Sequence, residues 1–168
     1  MAAGRAFVAL GSNLDDPVRQ LGLAIEALAS LPGTRVLDVS GFYRTAPWGD
    51  ADQPDFVNAV VLLETALAPL PLLDALLAIE QQMGRVRTRR YGPRVIDLDL
   101  LTHGDTESDD PRLVLPHPRM HERAFVMWPL AELAPDLVLG RWGRAAEIAA
   151  ALPAEGIARL ASRDGEPA

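Results

Sequence analysis

The sequence contains no cysteine, which excludes disulfides, thiolate metal sites and cysteine nucleophiles. It contains no lysine either, since all sixteen basic residues are arginine. A Walker phosphate loop requires its lysine and Schiff-base catalysis requires an amine, so both mechanisms fall away. Aromatic residues are scarce, nine in 168 positions, which gives weight to the places where they gather. No apolar run approaches the length of a membrane span, and the one in "MAAGRAFVALGSNL" is too short for a secretory core. A formal charge of −7 and an isoelectric point near 4.9 disfavour broad attraction to nucleic acid or anionic membrane. On these absences a soluble, cytoplasmic protein is expected, with neither nucleic acid nor membrane as partner.

What is present suits one compact fold. A chain of 168 residues, 49% hydrophobic, can bury a core, and no linker or change of composition divides it. A single domain over 1–168 is therefore expected. The terminal stretch from about 154 to 168 has little to bury and is expected to fray.

The order of elements follows from periodicity. "RAFVALGSN" reads as a short buried strand ending at Gly11, after which Asp15 or Asp16 caps a helix with Pro17 in its first turn. Leu21, Ala24, Ile25, Leu28 and Leu31 share a helical face, and Pro32-Gly33 ends it. "TRVLDVSGFY" reads as a strand with Leu37 and Val39 on one side, and "FVNAVVLLET" as a strand buried on both faces. A second helix is predicted from about Pro69 to Met83, with Leu72, Leu76, Ile79 and Met83 inward and Gly84 at its end. The strand "RVIDLDLL" follows. This β-α-β-β-α-β order is the ferredoxin-like plan, an α+β fold whose antiparallel sheet carries helices on one face. A C-terminal extension with one or two short helices completes the chain.

The chemistry concentrates in "RRYGPRVIDLDLL". Side chains alternate along a strand, so Asp97 and Asp99 share one face while Ile96, Leu98 and Leu100 take the other. Two carboxylates about 6–7 Å apart can bracket hard cations, although D-x-D is also common on solvated strand faces. The context favours chemistry. Arg85, Arg87, Arg89, Arg90 and Arg94 lie within ten residues that contain no acid, and guanidinium forks match phosphate oxygens. A triphosphate beside the aspartates would meet repulsion of about 2–3 kcal/mol per charge pair at about 6 Å. Divalent cations reverse that sign, so metal with polyphosphate suits both halves of the stretch.

Two further groups frame a second substrate. Arg112, His117, Arg119, His121 and Arg123 form another basic cluster able to close over phosphates. A zinc site on His117 and His121 is rejected, because Pro116 and Pro118 deny them a shared helix. Tyr43, Trp48 and Phe56 flank one polar loop and Phe125 follows the second cluster, a placement suited to sandwiching a flat heterocycle. The same rings would also serve as staples pinning loops to the core. Asn58, a primary amide inside an apolar strand, must find hydrogen bonds if buried, and could read such a ring's edge.

These residues resemble the 6-hydroxymethyl-7,8-dihydropterin pyrophosphokinase family. The likeness runs through "ALGSNL", "FYRTAPWG", "QPDFVNAVV", "GRVR", "RYGPRVIDLDLL" and "LPHPRMHERAFVMWPLAEL", about 125 residues in order. The resemblance implies a ferredoxin-like fold and transfer of pyrophosphate from ATP to a pterin alcohol, with release of AMP in folate biosynthesis. It implies that Asp97 and Asp99 hold two magnesium ions. Arg85, Arg87, Arg94, His117 and Arg123 would contact ATP, with Glu80 beside the nucleotide. Phe56 and Phe125 would sandwich the pterin, read by Asn58 and by the backbone around Thr45 and Trp48. Arg85 and Arg94 join the two aspartates as catalytic residues, and a monomer is expected. One departure is Tyr91, where many members carry Trp. Residue chemistry alone does not choose the phosphorus attacked; only the resemblance does. The rival classes are a non-catalytic ferredoxin-like module binding RNA or an effector, and another two-metal nucleotidyl- or phosphotransferase. Two carboxylates would repel RNA, and the Gly-Ser turn of nucleotidyltransferases does not precede this D-x-D.

Overall fold

The computed structural model describes residues 4–14, 16–46, 54–84, 95–153 and 156–160. Strand β1 (Gly4–Ser12) leads to helix α1 (Pro17–Ala29), β2 (Thr34–Val39), β3 (Tyr43–Thr45) and β4 (Phe56–Thr65). Helix α2 (Pro69–Gln82), β5 (Asp97–His103) and the hairpin β6 (Ser108–Asp110) and β7 (Leu113–Leu115) follow. A 3-10 turn at Met120–Glu122 precedes α3 (Ala124–Leu133), α4 (Ala145–Ala151) and β8 (Ile157–Arg159). The main sheet runs β5-β1-β4-β3-β8, with β2 also paired to β4. Every pairing in it is antiparallel.

The two central strands read as continuous apolar runs because both of their faces are covered. Ala6, Val8, Leu10, Ala59, Val61, Leu63, Leu98 and Leu100 pack with Leu21, Leu28, Leu72, Leu76 and Ile79 of α1 and α2. Phe7, Ala9, Val60 and Leu101 face the other way, into Val126, Met127 and Leu130 of α3 and Ala145 and Ala149 of α4. Two helices thus lie on one face, and the segment after Leu115 supplies a second helical layer on the opposite face. The resulting arrangement is three-layered, helix on sheet on helix. Trp128 joins the two outer helices by donating from Nε1 to the Ala149 carbonyl at 3.1 Å.

Four local expectations are corrected. Asp16 occupies the N-cap of α1, but in a left-handed conformation at φ 65°, and its side chain makes no capping hydrogen bond. In β2 the register shifts between Val36 and Asp38. That bulge breaks the alternation, so Val36 and Val39 pack on the core rather than Leu37 and Val39. The run "TRVLDVSGFY" is divided at Ser40, whose hydroxyl accepts from Val60 N–H at 2.9 Å and turns the chain between β2 and β3. Finally, Ile157–Arg159, inside the stretch expected to fray, pairs with Tyr43–Thr45. A three-residue strand with one partly buried side chain has no sequence signal of its own; β3 supplies the missing hydrogen bonds.

Glu80 shows how the edge of the sheet is finished. It is buried, 4% exposed, although it stands on a helix that could have turned it to water. Its Oε2 accepts from the Leu98 N–H at 2.8 Å, on β5, which is an edge strand among the described residues, so that every second N–H there has no strand partner among them. Glu80→Ala should therefore strand a buried donor and destabilise the fold by about 2–3 kcal/mol in urea unfolding. Glu80→Gln, which keeps an acceptor oxygen, should lose clearly less.

Candidate active site

The helical cover on the α3 face ends where the sheet turns polar. Cross-strand partners lie side by side on one face, so the registers define rows across the sheet. One row runs Asp99–Ala9–Val60, and its last two members belong to the apolar cluster under α3. The next runs Asp97–Gly11–Asn58–Tyr43, and Thr45 beside Phe56 forms the one beyond. Asp97, Asp99, Asn58, Thr45 and Phe56 are thereby brought to one end of one face. Both aspartates are half-buried. Asp97 and Asn58 flank a single strand, about 10 Å apart at the backbone.

Gly11 allows that arrangement. A Cβ at this position would lie 2.7 Å from Asn58 Oδ1 and 4.0 Å from Phe56 Cδ1. The amide of Asn58 is therefore laid across the bare backbone of β1, and the Phe56 ring sits beside it. At its other end the amide donates from Nδ2 to Thr45 Oγ1 at 2.7 Å. The buried amide in an apolar strand has thus found a partner one strand away, and its oxygen is held over the gap between β4 and β5. The sequence reading took Gly11 only as the end of the first strand, whereas β1 runs on to Ser12, and a glycine inside a strand signals a close approach. Asn13 was overlooked. It is 1% exposed, and its Nδ2 donates to the Pro54 carbonyl at 3.1 Å, tying the end of β1 to the approach to β4.

The second basic cluster is only partly brought together. His117 N–H donates to the Leu101 carbonyl at 2.9 Å, which anchors the segment alongside β5. Burial pushes the His117 imidazole down to about 4, with the positive charges of Arg123 and Arg119 adding to the effect. The ring is neutral at pH 7. Its Nδ1 accepts from Arg119 N–H at 3.2 Å, so the proton resides on Nε2, which is a donor. Arg123 lies beside the Phe125 ring, 5.8 Å from its centroid, at the start of α3. The other members go elsewhere. Arg112 pairs with Asp74 of α2, and His121 stacks on Trp142 with ring centroids 3.8 Å apart.

Phe125 packs against the α3-side apolar cluster, on the same sheet face as Phe56 and Asn58. Glu80 does not join this face. Its carboxylate is buried and reaches the Leu98 backbone from α2, on the opposite layer. Trp48, Arg85, Arg87, Arg89, Arg90, Tyr91 and Arg94 lie outside the described residues. The described candidates are a pair of carboxylates, a phenyl ring and an oriented amide at one end of the sheet face, with a neutral imidazole donor, an arginine and a second phenyl ring on the segment from His117 to the start of α3. That set suits a cation-bound polyphosphate next to a flat, hydrogen-bonding ring.

Residues 7–135 match the family described as 7,8-dihydro-6-hydroxymethylpterin-pyrophosphokinase (HPPK). A 2-amino-4-hydroxy-6-hydroxymethyldihydropteridine pyrophosphokinase of Pseudomonas aeruginosa is 54% identical over 156 residues, covering 93% of this chain and 96% of that protein. The protein of the same name from Haemophilus influenzae is 52% identical over 134 residues, 80% of this chain and 84% of its own. Among solved structures, wild-type HPPK-DHPS of Plasmodium falciparum superimposes with a TM-score of 0.70 at 15% identity, and another HPPK-DHPS, in complex with substrates, with 0.74 at 12%. At such identity the likeness concerns the fold. The chain covers 47% of each of those solved chains, about half their length, while 94% of this chain is matched.

Two outcomes follow from the geometry. Gly11→Ala should push the Asn58 amide off β1, because its Cβ would meet Oδ1 at 2.7 Å. We expect a stability loss of about 1–3 kcal/mol in urea unfolding, the range for an overpacked core. The second outcome is a pH dependence. The folded state holds His117 near 4 while the unfolded chain titrates near 6.5. Between those values the unfolded state binds more protons, so stability falls as pH drops from 6.5 towards 4, at up to about 1.4 kcal/mol per pH unit. His117→Asn, whose Oδ1 can still accept from Arg119 N–H, should make unfolding free energy fall less steeply across that window.

Proposed function

The chain belongs to the 7,8-dihydro-6-hydroxymethylpterin-pyrophosphokinase family, and from that premise we propose that it transfers pyrophosphate from ATP to 6-hydroxymethyl-7,8-dihydropterin, with release of AMP, in folate biosynthesis. The observation that carries this reading is the polar end of the sheet. It has acceptors for cations on β5 and an aromatic, amide-bearing cradle on β4, with one bare strand between them. We read the strand order as the ferredoxin-like plan, extended by the α3–α4 layer and β8. The whole chain is taken as one domain, working in the cytoplasm as a monomer on two small-molecule substrates.

The pterin lies between Phe56 and Phe125, with Asn58 and the backbone near Thr45 and Trp48 meeting its hydrogen-bonding edge. Stacking on an aromatic ring contributes roughly 1–3 kcal/mol per face, as for nucleic-acid bases. Thr45 accepts one amide hydrogen of Asn58 and so orients the rest of that amide before the ligand arrives, which limits the entropy lost on binding. ATP lies across the β5 side. His117 donates from Nε2 and Arg123 from its guanidinium to phosphate oxygens, and Arg85, Arg87 and Arg94 are assigned to the same triphosphate. Glu80 acts on the nucleotide side through the backbone of β5, which it braces between the two aspartates.

Asp97 and Asp99 are hard oxygen donors on one face, next to the small residues Gly11 and Ala9. That donor set fits two magnesium ions. Bound magnesium supplies the positive charge that a triphosphate needs beside two carboxylates. No covalent intermediate is required. The hydroxymethyl oxygen attacks the β-phosphorus in line and AMP departs, so catalysis rests on positioning and charge neutralisation.

Asp97→Asn and Asp99→Asn should each keep the native circular dichroism and lower turnover at saturating magnesium by at least ~10³, about 4 kcal/mol of barrier. Near-normal turnover in either would remove the metal assignment. Phosphorus NMR of the wild-type reaction should show AMP and a pterin pyrophosphate in equal amounts. ADP with a pterin monophosphate would refute β-attack.

A further inference from the structure

Behind the cradle stands a second polar cluster that the proposed chemistry does not use. Glu132, two turns along α3 from Phe125, is the acceptor for three groups. Tyr43 donates its hydroxyl to Oε1 at 2.7 Å and the Gly41 N–H donates to Oε2 at 2.7 Å. Arg159 of β8 adds a forked pair, from Nε to Oε1 at 3.0 Å and from Nη2 to Oε2 at 3.4 Å. The guanidinium lies flat on Gly41, where a Cβ would meet it at 2.5–2.6 Å. Burial pushes the Glu132 carboxyl up, but the hydrogen bonds from Arg159, Gly41 and Tyr43 outweigh it and hold the group below its ordinary range. Burial, reinforced by Glu132, drives the Tyr43 phenol up to about 12. At neutral pH the cluster is therefore one carboxylate, one phenol and one guanidinium in a fixed arrangement.

We propose that the Glu132–Tyr43–Arg159 cluster is a positioning clamp that sets the heterocycle slot, joining the strand that holds Thr45 and the helix that presents Phe125. The inference rests on the slot reading given above. Tyr43 is the cross-strand partner of Asn58, and Thr45, two residues on along the same face, accepts the Asn58 amide hydrogen. Strand β3 has three residues and is held on its outer side by β8, with the Ala46 N–H also bonded to the Gly156 carbonyl at 3.0 Å. On the helix side, Pro129 lies inside α3 and removes the N–H that would bond the Phe125 carbonyl. The turn carrying Phe125 is thus weakly held by its own helix, and its distance from β3 depends on anchors such as Glu132, roughly 10 Å along the axis. The clamp acts through Thr45 and Phe125, and none of its three side chains is assigned to either substrate.

The test uses the full chain and calorimetry with two ligands, a non-hydrolysable ATP analogue with magnesium, and then the pterin alcohol. Tyr43→Phe, Glu132→Gln and Arg159→Met should each weaken pterin binding by roughly 3- to 10-fold and leave the analogue's affinity within about 2-fold, the scale of coupling through a positioning network. The Tyr43→Phe and Glu132→Gln double variant should fall short of the product of the two single effects, since both cut the same link. Arg159→Lys, which keeps a charged donor, should recover part of the loss. Tyr43→Phe removes one hydroxyl only and carries the test if Glu132→Gln does not fold. Phe125→Ala is the control for the slot itself. If Phe125→Ala weakens pterin binding while all three clamp variants bind it normally, or if the clamp variants weaken both ligands equally, the clamp is overturned. If Phe125→Ala binds pterin normally, the slot reading fails and the clamp fails with it.

Discussion

The ladder between β1 and β4 is the constraint on which the rest depends. Nine consecutive pairs, from Gly4 with Thr65 to Ser12 with Val57, run without a break. Every other strand of the main sheet attaches directly to one of these two, except β8, which attaches through β3. Both helical layers pack on their side chains, even-numbered residues of β1 towards α1 and α2, odd-numbered towards α3. A slip of one residue would exchange those faces. It would also part Gly11 from Asn58, and with them the place where an amide crosses a bare strand.

That ladder explains how apolar and polar demands share one sheet. Over most of the α3 face the sheet buries Phe7, Ala9, Val60 and Leu101 under helices. At its end the same alternation delivers Asp97, Asn58 and Thr45. Each of these polar groups would be costly under an apolar layer unless hydrogen-bonded. Asn58 has its bond to Thr45, and the two aspartates are half-buried at the edge strand rather than enclosed. On the opposite layer Glu80 applies the same principle to the backbone, accepting an edge N–H from within the core. The neutral His117 fits this economy of charge, because burial beside two arginines leaves the imidazole no stable proton to add at pH 7.

The C-terminal part of the chain does more than cover the sheet. Helices α3 and α4 close the second layer, and β8 extends the sheet beyond β3. Between them Glu132 gathers donors from Gly41, Tyr43 and Arg159, residues up to 118 positions apart in the chain. Such a cluster orders three elements at once, and its bonds are charge-assisted, which makes them shorter and stronger than neutral ones.

Much of this was legible before any coordinates. The alternation in "RVIDLDLL" put Asp97 and Asp99 on one face and Ile96, Leu98 and Leu100 on the other, and the structure buries the apolar three in the core under α1 and α2. The 3.6-residue period of Leu72, Leu76 and Ile79 placed α2, and the continuous run in β4 announced burial on both sides. The family likeness was carried by local strings of residues in order. These are properties of single segments, and period and local motif record them. Other features joined segments with no sequence relation to one another. Gly11 matters because Asn58, 47 residues away, lies on it. The period of α2 could not say that the Glu80 carboxylate meets an edge N–H at Leu98. The bulge in β2 depends on matching β4, and the strand at Ile157–Arg159 exists because β3 has an open edge beside it. Sequence determines what each segment can bury and which chemistry it carries. Only tertiary structure decides which backbone groups are left unpaired and what reaches them, because hydrogen bonds and close contacts are satisfied between elements whose meeting is settled by packing.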